Sequence, residues 1–531
     1  MSARPTVPRA APRSEPTLHE RLDAVARDRA DQVVCFHSEQ ATLSYAELVE
    51  TSARMAAGLA RHGAGPGDAI GILAPNGPEF LQTVFAASRL GAAVCPLPLP
   101  AGLRDLAEYG GRTAGIVTAA GVRHLVLSTR LRRVLGARAT EWNATVLDST
   151  ELTAARPLPT RQVDPDTPAV LQFTSGSTSA PKGVVLTHTN VLACAESIIE
   201  AIGLGPRDAH ASWLPLFHDM GLFGTLTGLF VGIPVHLWNP TAFVKDPGRW
   251  LAEFAATRST ISTMPNFAFD ALVQTAEQDL DLSAWRVCFN GAEIIRPESV
   301  SAFTARFGRA GFRAEAMTPG YGMAEATLVA TLPPVGRAPV VDSVDRDALA
   351  QGRREPGDKE IVGLGRAVPG MELRIADGPV GEIQLRGPAV TSGYLTGAQP
   401  FTGDGWLRTG DLGYLRDGEL FFAGRAKELI TVNGVNTYPA DVEAEAAAVP
   451  GVRRGRCVAL ARLDPHEHIA VVAETALPEA EHERLRHAIA ARVRRALGLS
   501  ALTVHLTAPD TLPRTTSGKL RRLATAALIE R

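Results

Sequence analysis

Residues 174–183 read TSGSTSAPKG and directly follow an apolar run at 171–173 (LQF) that is typical of a buried strand. The stretch supplies five hydroxyls, two glycines and the ammonium group of Lys182. A triphosphate needs several N–H and O–H donors close together with a cation beside them, and glycine lets the backbone approach such a ligand closely. The spacing is not that of a Walker loop. The stretch therefore predicts a phosphate-binding loop, and a Ser/Thr/Gly loop without a ligand is the alternative.

The chain around this loop alternates helix-like and strand-like stretches from Thr17 to about Gly232. Residues 45–62 repeat apolar side chains at helical spacing, residues 69–73 (AIGIL) form a short apolar run, and residues 79–90 return to helical spacing. Helices that separate buried strands are typical of a mostly parallel sheet. The sequence thus predicts an α/β architecture.

The pattern changes in the last third of the chain. Residues 331–360 are rich in proline, glycine and charge, and they are predicted to be an inserted surface segment. Three strand-like stretches follow, and a domain boundary is expected near Gly424. Beyond it, a helix over 439–448, two short strands and a long amphipathic helix over 479–497 indicate a compact domain of common size.

A chain of 531 residues is too long for one hydrophobic core, so several domains are expected. The predicted parts are a disordered lead-in over residues 1–16 and a large N-terminal domain over 17–424, which holds α/β subdomains and a β-rich subdomain. A small mobile α+β domain over 425–531 completes the predicted α/β chain.

Composition narrows the function classes. The 54 basic and 56 acidic residues nearly balance, which gives no reason to expect a nucleic-acid partner. No run of ~18 apolar residues occurs, so no membrane span is predicted. The five cysteines are scattered without metal-ligand spacing. Few unpaired cysteines suit a reducing compartment, so a cytoplasmic location is expected.

Two further constellations carry chemistry that suits a nucleotide. Residues 321–325 (YGMAE) combine a tyrosine, which can stack on a purine, with a carboxylate that suits Mg²⁺ bridging phosphates; a helix-capping turn is the alternative. Residues 408–413 (RTGDLG) place Asp411 in a predicted turn, where its carboxylate suits both ribose hydroxyls. An Asx turn between strands explains Asp411 equally well.

Two charged segments lie near the domain boundary and the C-terminus. Residues 424–430 (GRAKELI) suit a hinge between domains, and they also suit a solvated linker. Residues 512–522 (LPRTTSGKLRR) place Lys519 on a Ser-Gly loop, where its charge suits a developing anion. The alternative is a basic C-terminal tail, which is what such a segment more commonly forms.

All five segments, in this order and at these separations, resemble the adenylate-forming superfamily of acyl-CoA synthetases, luciferases and peptide-synthetase adenylation domains. The resemblance covers the chain from about Thr17 to its end. Finer features resemble the fatty acyl-AMP ligases, and they lie at residues 213–222 (WLPLFHDMGL), 265–269 (PNFAF), 290–293 (NGAE), 321–328 (YGMAEATL) and 344–349 (VDRDAL). Such ligases carry an extra segment that disfavours the CoA-using conformation, and residues 331–360 either form it or neighbour it.

The resemblance implies ATP and Mg²⁺ as cofactors and assigns the residues that would hold them. The nucleotide set comprises Thr174, Ser175, Gly176, Ser177, Thr178, Lys182, Asn290, Gly291, Ala292, Glu293, Tyr321, Gly322, Met323, Ala324, Asp411, Arg425 and Lys519. Within or beside it, the residues implied in catalysis are Lys519, Glu325, Thr178 and His218. Glu325 would be the Mg²⁺ ligand, and Lys427 would be the hinge about which the C-terminal domain turns between two half-reactions.

The acyl pocket implied by the resemblance is apolar apart from one histidine. Its expected residues are Phe217, His218, Met220, Gly221, Leu222, Phe223, Phe230, Pro265 and Phe267. This set contains no acidic side chain that could pair with the amino group of an amino-acid substrate. It therefore favours a fatty or other apolar acid as the substrate. Plain core packing is the alternative for each phenylalanine.

Two positions depart from the superfamily pattern. Ser179 stands where many relatives have glycine, which gives mild support to the acyl-AMP ligases. Pro319 replaces an asparagine on the adenine side, so base recognition is expected to use backbone carbonyls. The leading hypothesis is a fatty acyl-AMP ligase that passes its product to an acyl carrier protein. The alternatives are an acyl-CoA ligase, an adenylating enzyme for an unusual acid, and a silent binding protein. The presence of Lys182, Glu325, Asp411 and Lys519 argues against the last.

Overall fold

A computed structural model of the chain describes residues 16–100, 106–157, 161–174, 182–276, 279–432, 435–453, 455–463, 466–499, 501–514 and 520–529. Residues 1–15 of the predicted lead-in lie outside these ranges. The helices of the described part are α1 Leu18–Asp28, α2 Tyr45–Arg61, α3 Pro78–Leu90, α4 Leu106–Ala119, α5 Thr129–Ala139, α6 Ser149–Leu152, α7 His188–Ile202, α8 Asp219–Val231, α9 Pro240–Lys245, α10 Pro247–Ala256, α11 Asn266–Val273, α12 Pro297–Phe307, α13 Arg346–Ala350, α14 Pro439–Ala447, α15 Glu479–Leu497 and α16 Arg522–Ala526.

The strands of the described part are β1 Val33–Phe36, β2 Ala41–Ser44, β3 Ala69–Leu73, β4 Ala93–Pro96, β5 Val122–Leu127, β6 Thr145–Asp148, β7 Pro168–Thr174, β8 Lys182–Thr187, β9 His210–Ser212, β10 Val235–Leu237, β11 Ile261–Pro265, β12 Val287–Gly291, β13 Met317–Pro319, β14 Thr331–Leu332, β15 Val341–Val344, β16 Lys359–Val362, β17 Arg366–Ala367, β18 Glu372–Ala376, β19 Gly381–Arg386, β20 Leu407–Arg416, β21 Glu419–Arg425, β22 Ile430–Val432, β23 Val435–Thr437, β24 Cys457–Arg462, β25 His468–Glu474 and β26 Leu502–Thr507.

Two mostly parallel sheets form the larger part of the molecule. One has the order β13-β12-β11-β9-β10-β1-β2 and is parallel except for the pair β1–β2. The other has the order β6-β5-β3-β4-β7-β8 and is parallel except for β7–β8. Helices connect the strands, as in β3–α3–β4, where every residue of β3 is buried. The α/β expectation is confirmed for this region.

Local sequence accounts for the best-predicted elements. Helix α2 starts with a capping box in which the Ser44 hydroxyl accepts from the Glu47 N–H and the Glu47 carboxylate accepts from the Ser44 N–H. Helix α3 starts with Pro78 in its first turn and ends at Gly91, which has a φ of +69°. Both elements match the helical spacing seen in the sequence.

A four-stranded antiparallel sheet, β18-β19-β20-β21, supplies the predicted β-rich part. After it, β24, β25 and β26 form a three-stranded sheet against α14 and α15. This gives a large N-terminal domain and a separate C-terminal α+β domain, as expected. No helix in the described ranges is both long and apolar enough to cross a membrane.

The segment 331–360 is more regular than the sequence suggested. It contains β14, β15, α13 and the start of β16, and β15 pairs with β16 in an antiparallel hairpin. Asp342 is 2% exposed, and its carboxylate accepts hydrogen bonds from Arg354 Nε at 2.8 Å and from the Tyr414 hydroxyl at 2.8 Å. Burial alone would raise the pKa of Asp342, but these hydrogen bonds and the charge of Arg416 lower it. The segment is thus held in place by hydrogen bonds and ion pairs to Asp342. Such contacts leave no periodic pattern of apolar residues in the sequence, which explains why the segment looked irregular.

Candidate active site

A cavity of about 2720 Å³ is lined by residues of both parallel sheets, of the four-stranded sheet and of helix α14. Many residues predicted for the site line it. They are Lys182, Phe217, His218, Met220, Phe267, Asn290, Gly291, Ala292, Glu293, Tyr321, Gly322, Met323, Ala324, Glu325, Asp411, Arg425 and Lys427. The fold therefore gathers segments that are up to 245 positions apart, from Lys182 to Lys427, around one space.

The phosphate loop connects two paired strands. Thr174 at the end of β7 and Lys182 at the start of β8 are register partners in the antiparallel pair. The predicted ligands inside the loop and the predicted catalytic lysine lie outside the described residues, and these are Ser175, Gly176, Ser177, Thr178 and Lys519. Arg514 and Leu520, which flank Lys519 and form a β-bridge with each other, both line the cavity.

Glu325 is positioned by a tyrosine that the sequence did not single out. The hydroxyl of Tyr394 donates to Glu325 Oε1 at 2.7 Å, and Lys182 Nζ lies 5.1 Å from the centroid of the Tyr394 ring. Burial, followed by the nearby carboxylate, raises the pKa of Tyr394, so its hydroxyl remains a hydrogen-bond donor. The Lys182 ammonium group, the Tyr394 ring and the Glu325 carboxylate thus lie next to one another on one wall of the cavity.

The segment that carries Tyr394 is attached to the phosphate-loop strand. Val184 of β8 forms a β-bridge with Tyr394. On either side of this bridge, the Val185 N–H donates to the Gly393 carbonyl at 3.1 Å and the Leu395 N–H donates to the Gly183 carbonyl at 2.9 Å. This pairing covers the open edge of the six-stranded sheet.

Asp411 is held between a tyrosine and an arginine. The Tyr321 hydroxyl donates to Asp411 Oδ2 at 2.8 Å, and Arg425 Nε lies 3.2 Å from Asp411 Oδ1. Burial raises the pKa of Asp411, although the charge of Arg425 and the hydrogen bond from Tyr321 act to lower it. The predicted turn is wrong, because Asp411 lies within the ten-residue strand β20, where it pairs with Arg425 of β21 across an irregular register. A long strand with a register shift contains glycines that resemble a turn in the sequence.

The loop after β13 brings Tyr321 and Glu325 to the same wall. The Tyr321 N–H donates to the Thr331 carbonyl at 3.2 Å, so the loop folds back on itself. A Cβ on Gly322 would lie 1.7 Å from the carbonyl oxygen of Leu328, which excludes every side chain at that position. The glycine is therefore required by close backbone approach.

Backbone groups dominate the segment at 290–293. The Gly320 N–H donates to the Asn290 carbonyl at 2.9 Å, and a Cβ on Gly291 would lie 3.3 Å from the Gly320 carbonyl oxygen. The carboxylate of Glu293 accepts from the N–H of Phe267 at 2.5 Å. This hydrogen bond joins the predicted adenine side of the cavity to the predicted acyl side.

His218 lies at the start of α8 with its ring partly exposed to the cavity. Its Nδ1 lies 2.5 Å from Asp219 Oδ1, and the same carboxylate oxygen accepts from the Met220 N–H at 2.7 Å. Gln172 Nε2 donates to the carbonyl of Phe217 at 3.1 Å, which ties this turn to β7. The turn is thereby held beside the phosphate-loop strand.

The structure divides the predicted acyl pocket. Phe217, His218, Met220 and Phe267 line the cavity, whereas the side chains of Leu222, Phe223 and Phe230 are buried in the core of the N-terminal domain. A Cβ on Gly221 would lie 2.3 Å from the carbonyl oxygen of Pro215, so this glycine is a packing contact, and Pro265 is a buried residue of β11. Helix α8 is apolar on every side, so its sequence did not indicate which face meets the cavity.

Several cavity residues escaped the sequence analysis. Gly224 and Thr227 of α8 follow the predicted residue Met220 by four and seven positions, which places them on the same helical face, and this spacing is the signal that would have identified them. His210 and Tyr394 had no comparable signal, since each is a single residue in a short strand or an irregular stretch.

The family models match most of the chain. One described as "AMP-binding enzyme" matches residues 22–395, and one described as "AMP-binding enzyme C-terminal domain" matches residues 434–525.

Two curated relatives match over most of their own length. A 4-hydroxyphenylalkanoate adenylyltransferase of Mycobacterium tuberculosis is 36% identical over 513 residues, which cover 87% of this chain and 82% of the relative. The medium-chain-fatty-acid–[acyl-carrier-protein] ligase JamA of Moorena producens is 33% identical over 538 residues, which cover 91% of this chain and 89% of the relative.

A solved structure from work on fatty acyl-adenylate ligases of E. coli and L. pneumophila superposes with a TM-score of 0.91 at 30% identity. The match covers 97% of this chain and 98% of that one. The chain therefore belongs to the AMP-binding enzyme family of adenylate-forming enzymes.

Proposed function

We propose that this protein activates a fatty or other apolar carboxylic acid as an acyl adenylate and then transfers the acyl group to the phosphopantetheine thiol of an acyl carrier protein. One observation carries the proposal. The Lys182–Tyr394–Glu325 and Tyr321–Asp411–Arg425 groups line the same cavity as an apolar arm. The names of similar proteins, which include a fatty-acid ligase for carrier proteins, support the choice of acid and acceptor.

In the first half-reaction, a substrate carboxylate oxygen attacks the α-phosphorus of ATP, and the bond from that phosphorus to the pyrophosphate oxygen breaks. The leaving group takes the bonding electrons, so acyl-AMP and pyrophosphate are the products. No protein nucleophile is needed, because the acid is already ionised near pH 7. The protein positions the reactants and balances charge.

Each side chain then has a proposed task. The loop of Thr174 and residues 175–178, together with Lys182, binds the phosphates, and Asp411 beside Arg425 accepts the ribose hydroxyls. Tyr321 and the backbone at 290–293 surround adenine. Lys519 supplies positive charge to the developing anion. His218 stands where the acid and the phosphates would meet.

The donor set also fits the predicted Mg²⁺. This ion is commonly held by one or two carboxylates together with substrate phosphates and water. Glu325 is 8% exposed and faces the cavity, and one of its oxygens is oriented by Tyr394. In the described residues no cluster of three metal-binding side chains offers a complete protein cage. When bound, the ion would neutralise phosphate charge.

In the second half-reaction the phosphopantetheine thiol loses its proton and its sulfur attacks the acyl carbon, and the bond from that carbon to the phosphate oxygen breaks, so that a thioester and AMP are the products. The thiol then stands where Lys519 acts in the first half-reaction. Lys427 is the third residue of the proposed domain 425–531, directly after its boundary with the proposed domain 17–424, and it is the proposed hinge. The five cysteines are free thiols, which suits the proposed cytoplasmic location.

The test measures pyrophosphate release with ATP, Mg²⁺ and a panel of acids, followed by CoA or a holo carrier protein as acceptor. Lys519→Ala should sharply reduce acyl-AMP formation while ATP binding is largely retained. Lys245→Ala, which changes an exposed lysine of α9, is the matched control. Unchanged adenylation in the Lys519 variant would contradict its assigned role, and abundant acyl-CoA would favour the acyl-CoA ligase alternative.

A further inference from the structure

The acyl side of the cavity continues past the residues predicted for it. Gly224, Thr227 and Gly228 of α8 line it, and Gly224 lies one helical turn, about 6 Å, beyond Met220. The facing walls are apolar and come from α7, the loop before β10, and β11; they include Ile198, Ile202, Ile233 and Ile261. Such a lining suits an alkyl chain or an aromatic ring.

Two polar side chains interrupt this apolar lining at one point. If Gly224 carried a Cβ, that atom would lie 3.7 Å from His210 Cε1, 4.0 Å from His210 Nε2 and 3.9 Å from Thr263 Oγ1. His210 starts β9 and is 4% exposed, and Thr263 lies in β11 and is 8% exposed. The absence of a side chain at Gly224 therefore opens the cavity towards both polar groups.

His210 lacks a hydrogen bond at this point. Within the described ranges, His210 Nε2 has no hydrogen-bond partner, although the atom is buried. Buried ring nitrogens normally have a partner, because leaving one without a partner is costly. His19 and His188 also have an Nε2 without a partner in those ranges, but neither lines the cavity. His210 is the member of this group that a bound ligand could reach.

The protonation state of His210 limits which chemical group of a ligand can hydrogen bond with it. Burial, with a smaller effect of His236, lowers the pKa of His210 to about 4, so the ring is neutral near pH 7. A neutral imidazole nitrogen either donates or accepts according to its tautomer. A hydroxyl group suits both tautomers, because it can donate and accept. A second carboxylate or an ammonium group would instead require a charged partner.

We infer that the acid activated by this protein carries a hydroxyl group on the distal part of its chain, which hydrogen bonds with His210 Nε2 and Thr263 Oγ1 beside Gly224. This inference rests on the proposed function and specifies its substrate class. His210 and Thr263 are specificity-determining residues that contact the substrate away from the reacting carboxylate.

The experiment compares kcat/KM for pyrophosphate release between matched acids that differ by one hydroxyl. The pairs are ω-hydroxy and plain fatty acids of several lengths, and p-hydroxyphenyl and phenyl alkanoates. The wild-type protein should prefer at least one hydroxylated acid by about tenfold. His210→Leu should bring this ratio to about one, because the hydrogen bond that favours the hydroxylated acid is lost. His210→Gln should keep part of the preference, because an amide also donates and accepts.

His124→Leu is the matched control, since His124 is a buried histidine of β5 that does not line the cavity. It should leave the ratio unchanged. Thr263→Val, which keeps the side-chain volume, carries the test if His210→Leu melts at a much lower temperature. Release of pyrophosphate without discrimination, or an unchanged ratio in the His210 and Thr263 variants, would overturn the inference alone. No release with any acid would overturn the proposed function and this inference with it.

Discussion

Lys359 Nζ lies 2.7 Å from Asp441 Oδ1, and this ion pair connects β16 to helix α14 of the C-terminal domain. The two side chains are only 15% and 13% exposed, so salt screens the pair less than a surface pair. Arg346 Nη1 of α13 lies 3.3 Å from Glu445 Oε1 and makes a second connection to α14. The hairpin β15–β16 and its helix therefore hold α14 in the orientation seen here.

Removing both connections should loosen the C-terminal domain. In the double variant Arg346→Ala/Lys359→Ala, we expect limited proteolysis near residues 425–434 to become several-fold faster, because two part-buried ion pairs are lost. Transfer of the acyl group to CoA should rise in the same variant. Arg249→Ala breaks a surface pair with Glu253 and is the control. Equal cleavage rates in all three proteins would show that these ion pairs do not restrain the domain.

Tyr394→Phe should lower kcat/KM for adenylation about tenfold, because the hydrogen bond to Glu325 is lost. The contact between Lys182 and the aromatic ring is kept in this variant. The larger part of the effect should be on the dependence of rate on Mg²⁺ and ATP concentration. Tyr414→Phe is the matched control, since its hydroxyl also donates to a carboxylate, that of Asp342, outside the cavity. The control should lose thermal stability but little activity. A Tyr394 variant that behaves like this control would contradict a role in orienting Glu325.

Gly224→Leu should shorten the acyl arm. A Cβ fits at this position, with its nearest neighbours at 3.7–4.0 Å, but a longer side chain would fill the space in front of His210. We expect kcat/KM for long acids to fall about a hundredfold, while short acids change little. Thr225→Val on the same helix, at a position that does not line the cavity, is the control. An equal loss for short and long acids would mean that the substitution disturbs the fold instead.

Stability should fall in mild acid. Burial is the main cause that lowers the pKa of His19, His188, His210 and His236 to about 4, from an ordinary value of 6.5. Between these pH values the unfolded chain binds more protons than the folded chain, so the free energy of unfolding decreases as pH falls from about 6.5 to about 4. Each histidine contributes up to ~1.4 kcal/mol per pH unit.

Urea unfolding at several pH values measures this slope. His188→Gln should reduce it by the share of one proton relative to the wild-type protein. A slope in this window that is the same for both proteins would rule out His188 as a contributor.

The sequence was most informative where the chemistry lies in contiguous residues. The segment 321–325 contains both a tyrosine and a carboxylate, and the cavity receives both because the loop is held by local hydrogen bonds and by Gly322. Alternation of helix and strand likewise revealed the parallel sheets, since burial on both faces leaves continuous apolar runs such as β3.

Features that depend on distant pairing were not predictable in this way. Tyr394 reaches Glu325 because its segment pairs with β8, and nothing in the local sequence at 391–396 indicates that partner. Asp411 lies in a long strand whose glycines imitate a turn. Helix α8 is apolar all round, so periodicity did not separate residues such as Phe223, which is in the core, from Met220, which lines the cavity.

The pairing of β8 with residues 393–395 also has a consequence for folding order. Thr391, next to this pairing, donates from its hydroxyl to the carbonyl of Val185, which is 206 positions away in the chain. Contacts of such long sequence separation form late, because a large loop must close first. Nucleotide binding should therefore appear only after both sheets have formed during refolding. In partial unfolding it should be lost before the parallel sheets open, so that a bound nucleotide reports on the last step of assembly.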